Sequence, residues 1–239
     1  MAERVLVALD TERLEDAAAW LDRLHGVVNG CKIGSQLFTA AGPAAVEAAL
    51  KRGFRVFLDL KYHDIPNTVA GAVREATRLG VFMLNVHAGG GVAMMRAAAE
   101  AAARGATDVG RPRPLVLGVT VLTSLDRHAL DAELGVPASV PAHVLRLAEG
   151  ARTAGLDGCV ASPREIGLLR RALGRRWVIV TPGIRPVGAS ADDQARTATP
   201  AAAIAAGADY IVVGRPITAA SDPAAAAAAV VAELASAVS

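Results

Sequence analysis

The chain has 239 residues, with 25 Lys plus Arg against 23 Asp plus Glu and two cysteines. That length suits one α/β barrel whose core needs no disulfide or metal staple. The near balance of charge argues against a nucleic-acid binder, which should carry a basic stripe, yet leaves room for a small anionic ligand held by a few cations.

The opening residues Met1-Ala2-Glu3-Arg4 lead straight into a strand-like run rather than an apolar signal segment. The longest stretch free of Asp, Glu, Lys and Arg, Val81 to Met95, is broken by Asn85, His87 and three glycines. It is too short to span a bilayer. Cys31 and Cys159 both lie in apolar runs and read as buried free thiols. A reducing, cytoplasmic setting is expected, with no membrane partner.

Along the chain, apolar runs alternate with helical patterns. Val5–Leu9 precedes a helix over Leu14–His25, Gly30–Ile33 a helix over Pro43–Arg52, and Arg55–Leu60 a helix over Pro66–Leu79. Phe82–Val86 is followed by Val92–Arg104, Leu115–Val121 by Pro141–Ala154, and Gly158–Ala161 by Pro163–Leu173. Val178–Thr181 pairs with Pro200–Ala206, and Tyr210–Val213 with Pro223–Ala237. Proline in the first helical turn costs no hydrogen bond, and Gly26, Gly53, Gly80, Gly105, Gly155, Gly174 and Gly207 suit left-handed helix ends.

Continuous apolar strands alternating with helices imply a parallel sheet covered by helices. A doubly wound open sheet would announce itself by G-x-G-x-x-G after the first strand. Here that strand ends Leu9-Asp10-Thr11-Glu12, and Gly89-Gly90-Gly91 lacks the third spaced glycine. The expected architecture is therefore a (β/α)8 TIM barrel, a single domain over residues 1–239.

In such a barrel, functional side chains sit at the C-terminal strand ends and in the loops that follow. Those ends carry Asp10, Lys32, Asp59, Lys61, Asp64, Asn85, His87, Thr123, Ser124, Arg185, Gln194 and Gly214-Arg215. The third strand is the most informative. Side chains alternate along a strand, so Asp59 and Lys61 should point the same way. A salt bridge closing the barrel is the bland alternative. Asp64 nearby adds a second carboxylate, and like charges crowded together oppose stability, which favours function.

The segment Asp59-Leu60-Lys61-Tyr62-His63-Asp64-Ile65-Pro66-Asn67-Thr68 resembles the signature of the orotidine 5′-monophosphate decarboxylase family in its short bacterial form. The resemblance extends over nearly the whole chain. It includes Val7-Ala8-Leu9-Asp10, Lys32-Ile33-Gly34, Val119 through Ser124, Thr181 through Pro186, Asp193-Gln194 and Val213 through Ile217. It implies a (β/α)8 barrel that makes UMP and carbon dioxide from orotidine 5′-monophosphate (OMP), the last step of de novo UMP biosynthesis, with no cofactor and no metal.

The resemblance also implies roles. Lys61 delivers a proton to C6, Asp59 lies against the substrate carboxylate, and Lys32 links the ribose to Asp59. Asp64 and Thr68 reach in from the partner of a homodimer with shared active sites. Asp10 and Thr68 hold ribose hydroxyls, and Thr123 or Ser124 meets the pyrimidine. Gln194, Arg215 and the Gly214 and Arg215 backbone hold the phosphate, with Arg185 at the hinge of a loop from Gly183 to Gln194.

These residue types fit the chemistry on their own terms. Decarboxylation leaves an electron pair on C6, and most decarboxylases recruit a cofactor as electron sink. With no His/Cys cluster or phosphate-cofactor motif, this chain must supply stabilisation through fixed charge, and a lysine can then donate the proton. A sister keto-sugar-phosphate decarboxylase shares D-x-K-x-x-D but holds a divalent metal through an acidic residue where this chain has Lys32. A Schiff-base aldolase using Lys61 and a non-catalytic nucleotide-binding barrel are the other rivals. His25, His128 and His143 read as surface residues, and His63 as packing. His87 is equally compatible with core and site, and Trp20 and Trp177 with core or interface.

Overall fold

The computed structural model describes residues 1–186 and 197–236. Its strands are β1 Val5–Ala8, β2 Gly30–Gly34, β3 Arg55–Tyr62, β4 Met83–His87, β5 Leu115–Val119, β6 Gly158–Val160, β7 Val178–Thr181 and β8 Tyr210–Val213. They form a closed barrel in sequence order, every neighbouring pair parallel. The helices are α1 Leu14–Leu24, α2 Ser35–Ala41, α3 Pro43–Lys51, α4 Pro66–Arg78, α5 Gly91–Asp108, α6 Val140–Thr153, α7 Ile166–Leu173, α8 Pro200–Ala206, α9 Arg215–Thr218 and α10 Pro223–Ser236. Among the described residues, no helix is long and apolar enough to cross a membrane.

Local chemistry sets many of these boundaries. Ser139 and Thr199 accept the Ala142 and Ala202 N–H groups at the starts of α6 and α8. Each occupies the N-cap position, where a side-chain oxygen satisfies an otherwise orphaned donor. Asp222 does the same for Ala224 and Ala225 ahead of α10.

The pleat divides the apolar residues into two cores. Val5, Val7, Cys31, Ile33, Val56 and Leu58 face outward and pack beneath the helices. Leu6, Ala8, Phe57, Met83, Leu117, Val180 and Val212 face inward and fill the barrel. Both cysteines are buried free thiols, pushed up to about 12 by burial, and Cys159 accepts the Trp177 Nε1–H at 3.2 Å. The lower rim is braced by charge. Arg170 pairs with Asp209, whose carboxylate also accepts the Ile179 N–H, and Arg113 pairs with Asp157, which accepts that of Val116.

Several expectations shift. β3 runs on to Tyr62, and β5 stops at Val119 rather than Val121. Residues 163–173 divide into a 3-10 turn and α7. α2, α9 and a π-helical turn at Ala129–Glu133 join the expected helices, while Ala237 lies outside the described residues. Gly105 does not end a helix: α5 continues through it to Asp108. A Cβ there would stand 3.3 Å from the Arg74 carbonyl, so the glycine permits close contact of α5 with α4.

Gly158 is a sharper case, because a Cβ on it would lie 2.2 Å from the Val178 carbonyl oxygen on the next strand. Backbone cannot yield as a flexible side chain can. Gly158→Ala should therefore cost at least about 1–3 kcal/mol, the usual range for overpacking. Thermal or urea denaturation checks this, and an unchanged midpoint would contradict it.

Candidate active site

The polar site continues the inner face of the barrel. Two residues beyond inward Ala8 stands Asp10, beyond Phe57 stands Asp59, and beyond Met83 stands Asn85. Lys32 is one layer lower on β2, level with Ala8 and Phe57, and its long side chain reaches up past Gly34 to the carboxylates. Above this layer opens a cavity of about 440 Å³. Ala8, Phe57, Val119, Val160 and Val212 give it apolar walls, and Asp10, Lys32, Asp59, Lys61, Thr123, Arg185, Gly214 and Arg215 supply polar groups. An apolar slot with a few convergent polar groups is the usual character of a small-molecule site.

Four of these groups alternate in charge. Lys32 Nζ lies 2.9 Å from Asp10 Oδ1 and 3.5 Å from Asp59 Oδ2, and Lys61 Nζ lies 2.8 Å from Asp59 Oδ1. Asp59 is only 8% exposed, whereas Asp10 is open to solvent. Burial opposes the charge on Lys32. The Asp59 and Asp10 carboxylates outweigh that penalty and hold its ammonium above the ordinary lysine range.

Lys61 does not reach Asp59 by plain alternation. The pairing of β3 with β4 runs from Leu58 opposite Leu84 to Tyr62 opposite Val86, with the register shifting between. Two extra residues are accommodated on β3, and Lys61 takes φ of 52°, the only positive value at a non-glycine residue among those described. Such a left-handed conformation costs on the order of 1–3 kcal/mol and persists only where surroundings enforce it. A bulge of this kind re-aims a side chain beside a site.

The other expected residues divide. Thr123 lines the cavity and Ser124 does not. Arg185 lines it too, and its buried Nε has no acceptor among the described residues, which suits an anionic ligand. Asp64 and Thr68 are exposed and do not line this chain's own cavity. Asp64 accepts the Ile65 N–H at 2.6 Å, and Ile65 itself is 67% exposed. Gln194 lies outside the described residues. His63 is exposed rather than packed, its ring 5.4 Å from that of half-buried His87. Among the described residues no group of three or more His, Cys, Asp or Glu is placed to hold a metal ion.

The model of the Orotidine 5'-phosphate decarboxylase / HUMPS family matches residues 3–230. An orotidine 5'-phosphate decarboxylase of Moorella thermoacetica is 56% identical, with 97% of this chain and 92% of the relative covered. One of Syntrophotalea carbinolica is 54% identical, covering 98% of this chain and 96% of the relative. Among solved structures, the orotidine 5'-phosphate decarboxylase of Lactobacillus acidophilus superposes with a TM-score of 0.87 at 38% identity, over 97% of this chain and 99% of that one.

The histidine pair generates a prediction about pH. Burial, then the neighbouring His63 and Lys61, hold the His87 imidazole below the ordinary histidine range, with Asp59 opposing them in part. An unfolded chain protonates this residue near pH 6.5, while the folded chain waits for lower pH. Between those values the unfolded state binds more protons, so the stability that neutral His87 contributes is complete above pH 6.5 and is lost as pH falls through the depressed folded value. Scanning calorimetry across that range should show Tm dropping with acid, and His87→Gln should flatten the drop. An identical slope in the variant would show that His87 does not titrate in this way.

Proposed function

The chain belongs to the Orotidine 5'-phosphate decarboxylase / HUMPS family, and we propose that it converts orotidine 5'-phosphate to UMP and carbon dioxide. The observation that carries this reading is the alternation Asp10, Lys32, Asp59, Lys61 around a carboxylate buried at the mouth of the barrel.

In the proposed reaction, the bond between C6 and the substrate carboxylate breaks and its electron pair remains on C6. The Lys61 ammonium lies against that position, stabilises the developing charge and transfers a proton to C6, giving UMP. Carbon dioxide leaves, and neutral Lys61 regains its proton from solvent. Fixed charge in a water-poor site acts strongly because nothing must reorganise during the reaction. Asp59 faces the substrate carboxylate, and their repulsion is relieved as carbon dioxide departs.

Asp10 and Lys32 hold the ribose, and Thr123, with Ser124 beside it, meets the pyrimidine ring. Arg185, Arg215, Gln194 and the Gly214 and Arg215 amides hold the phosphate. Lys32 already provides a cation beside Asp59, which favours this reading over a keto-sugar decarboxylase that places a divalent metal there. Two buried thiols and no disulfide among the described residues suit a cytoplasmic enzyme.

Adding the protein to orotidine 5'-phosphate should abolish the absorbance of the orotate ring, with UMP as product. Lys61→Ala should lose at least about a hundredfold in kcat, since positioned proton donors contribute about 10²–10⁴-fold. Wild-type protein that binds UMP without consuming orotidine 5'-phosphate would make this a nucleotide-binding barrel instead.

We further propose a homodimer in which Asp64 and Thr68 complete the partner's site, a reading supported by their exposure outside their own cavity. Lys61→Ala and Asp64→Ala homodimers should both be nearly inactive. In a mixed dimer one site carries both lesions and the other neither. Random refolding of equal amounts gives half heterodimers, so activity should return to roughly a quarter of wild type for independent sites. Verified heterodimers that stay inactive would place Asp64 within its own chain's site.

A further inference from the structure

Asn85 occupies the inward position of β4 two residues beyond Met83 and is 0% exposed. It does not line the cavity, so it acts on a bound nucleotide only through other residues. Its side chain makes two bonds in opposite senses. Nδ2 donates to Asp59 Oδ1 at 2.7 Å, and Oδ1 accepts the Lys61 backbone N–H at 2.8 Å. Those partners fix the orientation of the amide: an N–H can only donate, and an ionised carboxylate can only accept.

Both bonds fall where the β3 ladder is interrupted. The register shift between Leu58 and Tyr62 coincides with the left-handed conformation of Lys61. The Asn85 side chain supplies an acceptor for the Lys61 N–H in place of a strand carbonyl. The same amide shares Asp59 Oδ1 with the Lys61 ammonium, which stands 2.8 Å from that oxygen. One neutral, buried group therefore touches the backbone of the lysine and the carboxylate that its side chain meets.

We infer that Asn85 is a positioning residue, a clamp that holds the Lys61 backbone in its left-handed turn and Asp59 in line with the ammonium. Its catalytic consequence rests on the decarboxylase reading; its structural consequence does not. The chemistry is specific to a neutral group that both donates and accepts. Leucine, of similar size, offers neither bond. Aspartate retains the acceptor but sets a second negative charge against Asp59.

Three measurements test the clamp. Asn85→Leu should lower kcat about a hundredfold, the scale of an ångström misplacement, with UMP affinity little changed. Without any ligand, hydrogen exchange at the Lys61 amide, followed by NMR, should become fast while neighbouring β3 amides stay protected. Asn85→Asp should be rescued by acid. The protonated carboxyl presents O–H to Asp59 and C=O to the Lys61 N–H, so activity relative to wild type should rise as pH falls. A residue that merely fills space would give no such rise.

Unchanged Lys61 exchange together with unchanged kcat in folded Asn85→Leu overturns the inference. Where that variant does not fold, the pH profile of Asn85→Asp decides, and a profile parallel to wild type overturns it. If wild type leaves orotidine 5'-phosphate intact, the functional reading falls, and the Lys61 exchange rate still decides for or against the clamp.

Discussion

Asp59 is a largely buried carboxylate, and burying a charge is costly unless it is paired and hydrogen-bonded. Removing one ion from water costs several kcal/mol even after the protein relaxes. A single cation near 4 Å returns about 4 kcal/mol at an effective dielectric of about 20. One lysine therefore offsets little more than the cost of burial. The site uses two, Lys32 at 3.5 Å and Lys61 at 2.8 Å, and adds the Asn85 amide at 2.7 Å. Those partners come from β2, β3 and β4, so the carboxylate joins three strands at the barrel mouth.

The remaining architecture follows from keeping that group in place. Inward positions lower in the barrel are filled by Leu6, Phe57, Met83 and Leu117, which leaves polar side chains at the C-terminal mouth. The Arg and Asp residues at the opposite rim have another task. Asp157 and Asp209 accept N–H groups at the starts of β5 and β7 while arginines neutralise them. Charge at one rim fixes the ends of strands, and charge at the other meets the cavity.

How much of this could be read from residues alone depends on the range of the interaction. The strands were legible because period and composition are local, and the rim charges because strand ends are local too. The lengthening of β3 was not. Asp59 and Lys61 stand two apart, as in a regular strand, and only pairing with β4 exposes the shifted register and the positive φ of Lys61. Gly105 looked like a helix end because its service to α4 is a long-range contact. The short α2, α9 and π-helical turn, at seven, four and five residues, are too brief to repeat an amphipathic pattern recognisably. Asn85 could be placed on the rim, yet a neutral amide carries no charge pattern to betray its role. Its inward parity with Met83 was the available signal.

The bulge at Lys61 connects these observations with the proposed chemistry. A lysine on a regular strand is free to swing through many rotamers, and a swinging ammonium stabilises a carbanion no better than solvent does. Here the backbone is fixed by the Asn85 amide and the ammonium by Asp59, so both ends of the side chain are tied. The left-handed turn costs energy that the packed barrel can absorb. What it gives in return is a positive charge held over an apolar slot before any substrate arrives. In the proposed reaction that prior placement meets the electron pair left on C6, and its effectiveness depends on how little the lysine must move when the bond breaks.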